Sequence, residues 1–181
     1  MKKIIFAFAG IFAYMLQANG VGAQNSFNEK LNKAGYRFDI AKATDTSSKT
    51  SHSLATINIK AVRNFVKNYK DINDEQWSIT NEGYVVRFKQ DGKNILVHYD
   101  KKGNWQGVVK GYTQDKLPFE VRDMVRRNYY DSEITYVDEV ETIQSNGKPV
   151  YIVHIADKST FQLIRIFDGE MSVWESFQTQ Q

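Results

Sequence analysis

Tyr84-Val85-Val86-Arg87-Phe88-Lys89-Gln90-Asp91-Gly92-Lys93-Asn94-Ile95-Leu96-Val97-His98-Tyr99 is the stretch that decides the fold. Tyr84, Val86 and Phe88 alternate with Val85, Arg87 and Lys89. A period of two puts successive side chains on opposite sides of a strand. Asp91-Gly92 follows, and both residue types tolerate the positive φ of a two-residue hairpin turn. Ile95 to Tyr99 then runs back. The pattern predicts an antiparallel hairpin. Lys101-Lys102-Gly103 supplies a second turn and Trp105 to Tyr112 a further strand, and Gln76 to Thr80 reads as the strand that opens the set.

Upstream the period changes. Ile59, Val62, Val66 and Tyr69 recur at helical spacing, with Phe65 beside them. Downstream the same order returns. Val121, Met124, Val125 and Tyr129 form a second helical stripe, opened by Pro118, whose missing N–H costs nothing in a first turn. Ile134 to Ile143, Val150 to Ile155, Phe161 to Phe167 and Ser172 to Phe177 read as strands, with Asn146-Gly147 as a turn.

The matches run deeper than the order of elements. Val62-Arg63-Asn64-Phe65-Val66-Lys67 aligns with Val121-Arg122-Asp123-Met124-Val125-Arg126 at an offset of 59. Ile95 to Asp100 aligns with Leu163 to Asp168 at 68, and Trp105 and Trp174 follow the two segments. The expected fold class is therefore α+β: a tandem repeat of one helix plus a four-stranded antiparallel sheet. Helices would cover one face and leave an open face on the other. The repeats are placed at 58–115 and 116–181.

The chain has 181 residues, with 24 Lys+Arg against 21 Asp+Glu. Lys2 and Lys3 precede the apolar run Ile4 to Leu16, which is short for a bilayer span, and Val21-Gly22-Ala23 resembles a small-residue cleavage site. Residues 1–23 are read as a signal peptide cleaved after Ala23. Removing them leaves net charge +1, which argues against a nucleic-acid surface. Residues 24–57, rich in Ser, Thr, Lys and Ala between Asp39 and Thr56, are read as a flexible segment. With no cysteine, disulfides, thiolate metal sites and a cysteine nucleophile are excluded.

Several stretches resemble exported bacterial proteins of the PepSY-like, β-lactamase-inhibitor-like family. They are Phe88 to Gly92, the hairpin Tyr99 to Trp105, Lys116-Leu117-Pro118 with Val121-Arg122, and Asp168-Gly169-Glu170-Met171. The resemblance covers Asn58 to about Phe177. It implies the tandem helix-plus-four-strand fold, an envelope location, and protein binding or hydrolase inhibition at the open face. Secreted inhibitors of similar shape carry disulfides and this chain has none, so β-lactamase inhibition itself is not implied.

Chemistry-bearing patterns are sparse. His52, His98 and His154 are isolated, without the spacing of a metal site, and the last two read as ordinary strand histidines. No G-x-S-x-G elbow or phosphate-cradling glycine loop occurs. Asp131, Glu133, Asp138, Glu139 and Glu141 read as a solvated acidic strand face. Lys60, Arg63, Lys67, Lys70, Arg122, Arg126 and Arg127 read as solvated outer helix faces, contact with anionic lipid being the other reading. No enzyme, cofactor or metal is expected.

Aromatic residues make up 13% of the chain and fall mostly in the strands. A sheet covered on one side must show some rings on the other, where Tyr and Trp anchor interfaces. Ile164 and Ile166 are read as core-facing, which leaves Arg165 and Phe167 outward. The repeat alignment then places Val97 and Tyr99 outward as well. Trp105 and Trp174 join them as candidate anchors, with the hairpin tips Asp91 and Asn146 as probes of a partner's cleft. The functional expectation is a periplasmic or secreted, non-catalytic module that binds another protein, as an inhibitor or regulator of an envelope hydrolase. The alternative is a binder of a small molecule or envelope component on the same face.

Overall fold

The computed structural model describes residues 54–178. The expected signal peptide, its cleavage point and nearly all of segment 24–57 lie outside the described residues. Leu54–Thr56 form a turn of 3-10 helix, and Ile57 is buried just ahead of Asn58.

The order is helix α1 (Ile59–Asn68), strands β1 (Gln76–Ile79), β2 (Gly83–Gln90), β3 (Lys93–Asp100) and β4 (Trp105–Tyr112), helix α2 (Phe119–Asn128), then β5 (Glu133–Thr142), β6 (Val150–Ala156), β7 (Thr160–Phe167) and β8 (Glu170–Gln178). All eight strands join in one antiparallel sheet, in sequence order. Each strand pairs with the one before it; α2 lies in the β4–β5 connection, a 3-10 turn (Ile143–Ser145) lies in the β5–β6 connection, and the other strand connections are short turns.

Local chemistry explains the boundaries. The Asn58 side chain caps α1 by accepting from the Lys60 N–H at 2.9 Å. Pro118 stands at the corresponding place on α2, and its carbonyl accepts from the Arg122 N–H at 3.0 Å. Asp91-Gly92 and Asp168-Gly169 both take positive φ, which closes the β2–β3 and β7–β8 hairpins with two residues each.

Among the described residues, each helix packs on an apolar core. Ala61 and Phe65 of α1 pack with Trp77, Val86, Phe88, Ile95, Val97, Tyr99 and Val108. Val125 of α2 and Leu117 pack with Tyr112, Ile134, Val137, Val153, Ile155, Ile164 and Ile166. The first is ring-rich: Phe65 lies edge-on to Trp77 and to Phe88, with centroids 5.5 and 5.3 Å away. The second is built mostly of branched aliphatics, with Tyr112 as its one buried ring.

The stripe expected on α1 is rotated. Ile59 and Val66 are 60% and 62% exposed, and the buried line runs instead through Ala61 and Phe65, with Val62 and Tyr69 flanking. Both helices are ten residues long, and their bounds are offset by 60. Phe65 corresponds to Val125 and Tyr69 to Tyr129. Asn68 and Asn128 each donate to the carbonyl four residues back, at 2.8 and 2.9 Å.

Candidate functional site

The second side of the sheet carries the positions that neither core includes. Cross-strand rows can be read from the register. Val85, His98, Gly107 and Thr142 form one, and Arg87, Leu96, Val109 and Val140 the next. Asn94, Gly111, Asp138, Ile152 and Arg165 follow, then Tyr136, His154 and Leu163. The face expected to be open is not open at its middle, which corrects that expectation: Leu96, Val109, Val140, Ile152 and Leu163 are each at most 2% exposed, and partial exposure remains at the flank with Tyr136, Phe161, Arg165 and Phe167.

One group here overturns an expectation. Asp138 is 1% exposed, not solvated, and its Oδ2 sits 2.7 Å from His154 Nε2. A carboxylate this deep needs a partner, and His154 supplies it. The ring of His154 is met edge-on by Tyr136 and Phe161, at 5.7 and 5.8 Å, and Phe161 lies 6.2 Å from Phe177. The Asn94 amide reaches across Gly111 to donate to the Tyr136 hydroxyl at 3.4 Å, which the bare glycine permits. Asp138 Oδ1 and His98 Nε2 are buried without a hydrogen bond. Burial lowers the His98 pKa to about 4, so it is neutral near pH 7.

Glu139 and Glu141 of the acidic run point the other way. Alternation puts Glu139 and Glu141 on the side of Tyr112 and Val137. Lys110 Nζ bonds Glu139 Oε1 at 2.8 Å and Glu141 Oε1 at 2.6 Å, and the Tyr112 hydroxyl donates to Glu139 Oε2 at 2.8 Å. Burial pushes the Glu139 carboxyl up. The bonds from Lys110 and Tyr112 and the charges of Lys110 and Lys93 more than offset that, so its pKa falls below the ordinary value. Lys93 lies 4.3 Å from the centre of the Tyr112 ring. Tyr112 also belongs to the α2 core, so this network adjoins that core.

The expected anchors scatter. Val97 is 0% and Tyr99 2% exposed, and both belong to the α1 core, so their outward placement is corrected. The Tyr99 ring stacks on Trp77 at 5.9 Å and its hydroxyl donates to Asn64 Oδ1 at 3.0 Å. The cause is a one-residue slip. Asp168 is the first turn residue, at φ +53°, and Phe167 pairs with Glu170 across a two-residue turn. Asp100 instead ends β3, where its Oδ1 accepts from the Lys102 and Asn104 N–H groups at 2.8 Å, and Tyr99 pairs with Trp105 across five residues. Equating the two aspartates shifts the strands by one position, and one position exchanges the sides.

Arg165 and Phe167 do lie on the second side, half-buried, with the guanidinium 5.4 Å from the ring centre. Trp105 packs against the α1 core. Trp174 is half-buried on β8. Asp91 and Asn146 are exposed at positive φ on turns, and the Asp91 carbonyl accepts from Lys116 Nζ. Of the eight, Arg165 and Phe167 meet on the second side, while Val97, Tyr99 and Trp105 are brought together in the α1 core instead. Tyr136, Phe161, Phe177, Asp138 and His154 were not anticipated. The available signal was the alternation along β5, which separates Asp138 from Glu139.

A shallow depression of about 120 Å³ is lined by Asp74, Gln76, Arg87, Phe88, Lys89 and Asn94, well below the several hundred Å³ of a typical ligand pocket. Among the described residues, no group of three or more His, Asp or Glu side chains is placed to hold a metal ion. No described helix is long and apolar enough to cross a membrane.

No family model matches the chain, and no curated protein matches it. Its fold is similar to several solved structures from Bacteroides. A DUF2874 family protein from Bacteroides uniformis ATCC 8492 is 17% identical, with a TM-score of 0.54, over 66% of this chain and 87% of that one. A candidate periplasmic protein from Bacteroides eggerthii DSM 20697 is 17% identical, with a TM-score of 0.55, over 67% and 88%. A BLIP-like protein from Bacteroides fragilis NCTC 9343 is 15% identical, with a TM-score of 0.57, over 69% and 88%. At these identities the likeness is one of fold. It reaches the β-lactamase-inhibitor-like part of the sequence resemblance and not the PepSY-like part.

Proposed function

We propose that this chain is an exported, non-catalytic module that binds another envelope protein through the side of the sheet away from its helices. An inhibitor or regulator of an envelope hydrolase is the form this takes. The reading has three supports. Val108 of the α1 core and Tyr112 of the α2 core lie four residues apart on β4, and so on one side of it. We therefore infer one helical lining over a tandem repeat, the helices matching at an offset of 60. The Lys2-Lys3 start, the apolar run and the site after Ala23 favour export to the periplasm or beyond, as does the candidate periplasmic neighbour. The BLIP-like neighbour favours binding over catalysis.

The single observation that carries the binding face is the flank of β5–β8. Tyr136, Phe161, Arg165, Phe167 and Phe177 are half-buried there beside the buried apolar row. Large rings and an arginine at the edge of a tightly packed apolar centre have the composition of an interface anchor. A rigid antiparallel sheet presents them with little ordering cost on binding.

Photocrosslinking tests the reading. A photoreactive amino acid replacing Phe167 in producing cells is expected to give a discrete protein adduct that the same group at Lys67, on the outside of α1, does not. No adduct at position 167, or the same adduct at both, would remove the proposal.

A further inference from the structure

The outside of the helices has its own composition. Residues 59–70 carry Lys60, Arg63, Lys67 and Lys70 and no carboxylate, although residues 54–178 as a whole hold 17 basic and 18 acidic side chains. The positive charge is therefore gathered on one element of a chain that is otherwise slightly acidic. All four cations are exposed. Lys60 Nζ bonds the Asn104 side chain, and Arg63, Lys67 and Lys70 make no ion pair with a described carboxylate.

Apolar side chains stand among them. Ile59 and Val66, 60% and 62% exposed, lie seven residues apart and so on one line of the helix surface, with Arg63 between them. At the matching start of α2, Phe119 is 66% exposed, and Arg126 is its neighbour seven residues on. On α2 the acidic Asp123 is already engaged, by Arg127 at 2.8 Å. Ile59 and Phe119 contribute to neither core, so core packing does not account for a large apolar residue at either position.

We propose that the exposed side of α1, extended by Phe119 and Arg126 of α2, docks on an anionic phospholipid surface. The cations would meet the headgroup charges, and Ile59, Val66 and Phe119 would enter the boundary between headgroups and acyl chains. An acidic protein would satisfy the cations but gives no reason for three large apolar side chains spread along two helices. A lipid boundary takes both, without requiring a matched shape. The part played by α2 rests on the single helical lining inferred above; that of α1 does not. Docked this way, the protein would turn its Phe167 flank away from the membrane.

Co-sedimentation of the exported protein with vesicles tests the proposal. Vesicles of phosphatidylglycerol and phosphatidylethanolamine should retain the protein at low salt, and phosphatidylcholine vesicles should not. Retention should weaken steeply between low and physiological salt. Arg63→Glu/Lys67→Glu and, separately, Ile59→Ser/Val66→Ser should each lower partition about tenfold or more, since each removes two contacts. All four residues are exposed, so both variants should melt as the parent does. Phe167→Ala should partition unchanged, which keeps this test apart from the crosslinking test of the sheet side. Absence of retention on anionic vesicles, equal retention on phosphatidylcholine, or variants that partition like the parent would each overturn the proposal. Retention by an acidic protein alone, without vesicle binding, would overturn it too.

Discussion

The α1 half and the α2 half of the molecule each join a ten-residue helix to four strands, yet they fill their interiors in different ways. Around α1 the filling is aromatic: Phe65, Tyr69, Trp77, Phe88 and Tyr99 contact one another edge-on or stacked. Around α2 it is Val125, Val137, Val153, Ile155, Ile164 and Ile166. Rings reach further from the backbone than branched aliphatics, and each ring concentrates more buried area in one side chain. The hairpins that end the two halves differ as well. The β3–β4 turn packs on the start of α1, with Gly103 close to Asn58 and Ala61. The β7–β8 turn stands free, with nothing within 4 Å of a methyl group placed on Gly169. The same order of elements thus accommodates two cores and two turn lengths, provided that side-chain alternation is kept within each strand.

The largest expected effect separates Tyr99 from Phe167, the two residues whose sides the aspartate alignment would equate. Tyr99→Ala should cost roughly 3–5 kcal/mol in denaturant unfolding, the range for a buried ring. Phe167→Ala should stay within about 1 kcal/mol. Similar losses at the two positions would break the comparison.

Next in size is a pH effect confined to the α1 half. The folded pKa of His98, about 4, lies below its ordinary 6.5, because burial disfavours the charged ring. The unfolded chain therefore takes up a proton first. The stability that neutral His98 supports is complete above about pH 6.5 and is lost as pH falls toward 4, by on the order of 3 kcal/mol. His98→Gln should flatten that slope in unfolding curves taken at pH 7 and pH 4.5. An unchanged slope would show that His98 titrates normally.

Smaller effects sharpen the contrast between hairpins and between caps. A Cβ at Gly103 would lie 2.8 Å from the Ala61 backbone nitrogen, and φ is +76° there, so Gly103→Ala should cost about 2 kcal/mol or more. Gly169→Ala meets open space and only the backbone strain of φ +80°, about 1 kcal/mol. Thermal melting of the pair would show equal shifts if the β3–β4 turn were not docked. Least of all, Asn58→Ala should cost about 1 kcal/mol through the lost cap, whereas Pro118, with no side-chain cap bond, should give less on replacement.

Much of this architecture was legible in the chain. Trp105–Tyr112 is the strand expected after the Lys101-Lys102-Gly103 turn, residue for residue, and Asp91-Gly92 is the expected turn. Local patterns sufficed because hairpins are closed by neighbouring residues. Sides were harder. Fixing which side Tyr99 faces requires knowing that Asp100 precedes its turn while Asp168 lies within one, and the identical residue type hides this. Ile59 and Val66 kept helical spacing with the core residues and still point outward, since a stripe at that spacing has two flanks and packing selects one. The Asp138–His154 pair is 16 positions apart in sequence and meets only through the β5–β6 register, shifted between Ile134 and Tyr136. No local pattern encodes that irregularity.

Because the chain has no native cysteine, thiol labelling can read the two sides of the sheet directly. Phe167→Cys and Tyr99→Cys, compared in the folded protein with a membrane-impermeant maleimide, measure whether the flank proposed for contact is accessible while its sequence counterpart is enclosed under α1. The account predicts prompt labelling at 167 and labelling at 99 only on unfolding. Equal rates at the two positions, or faster reaction at 99, would contradict it.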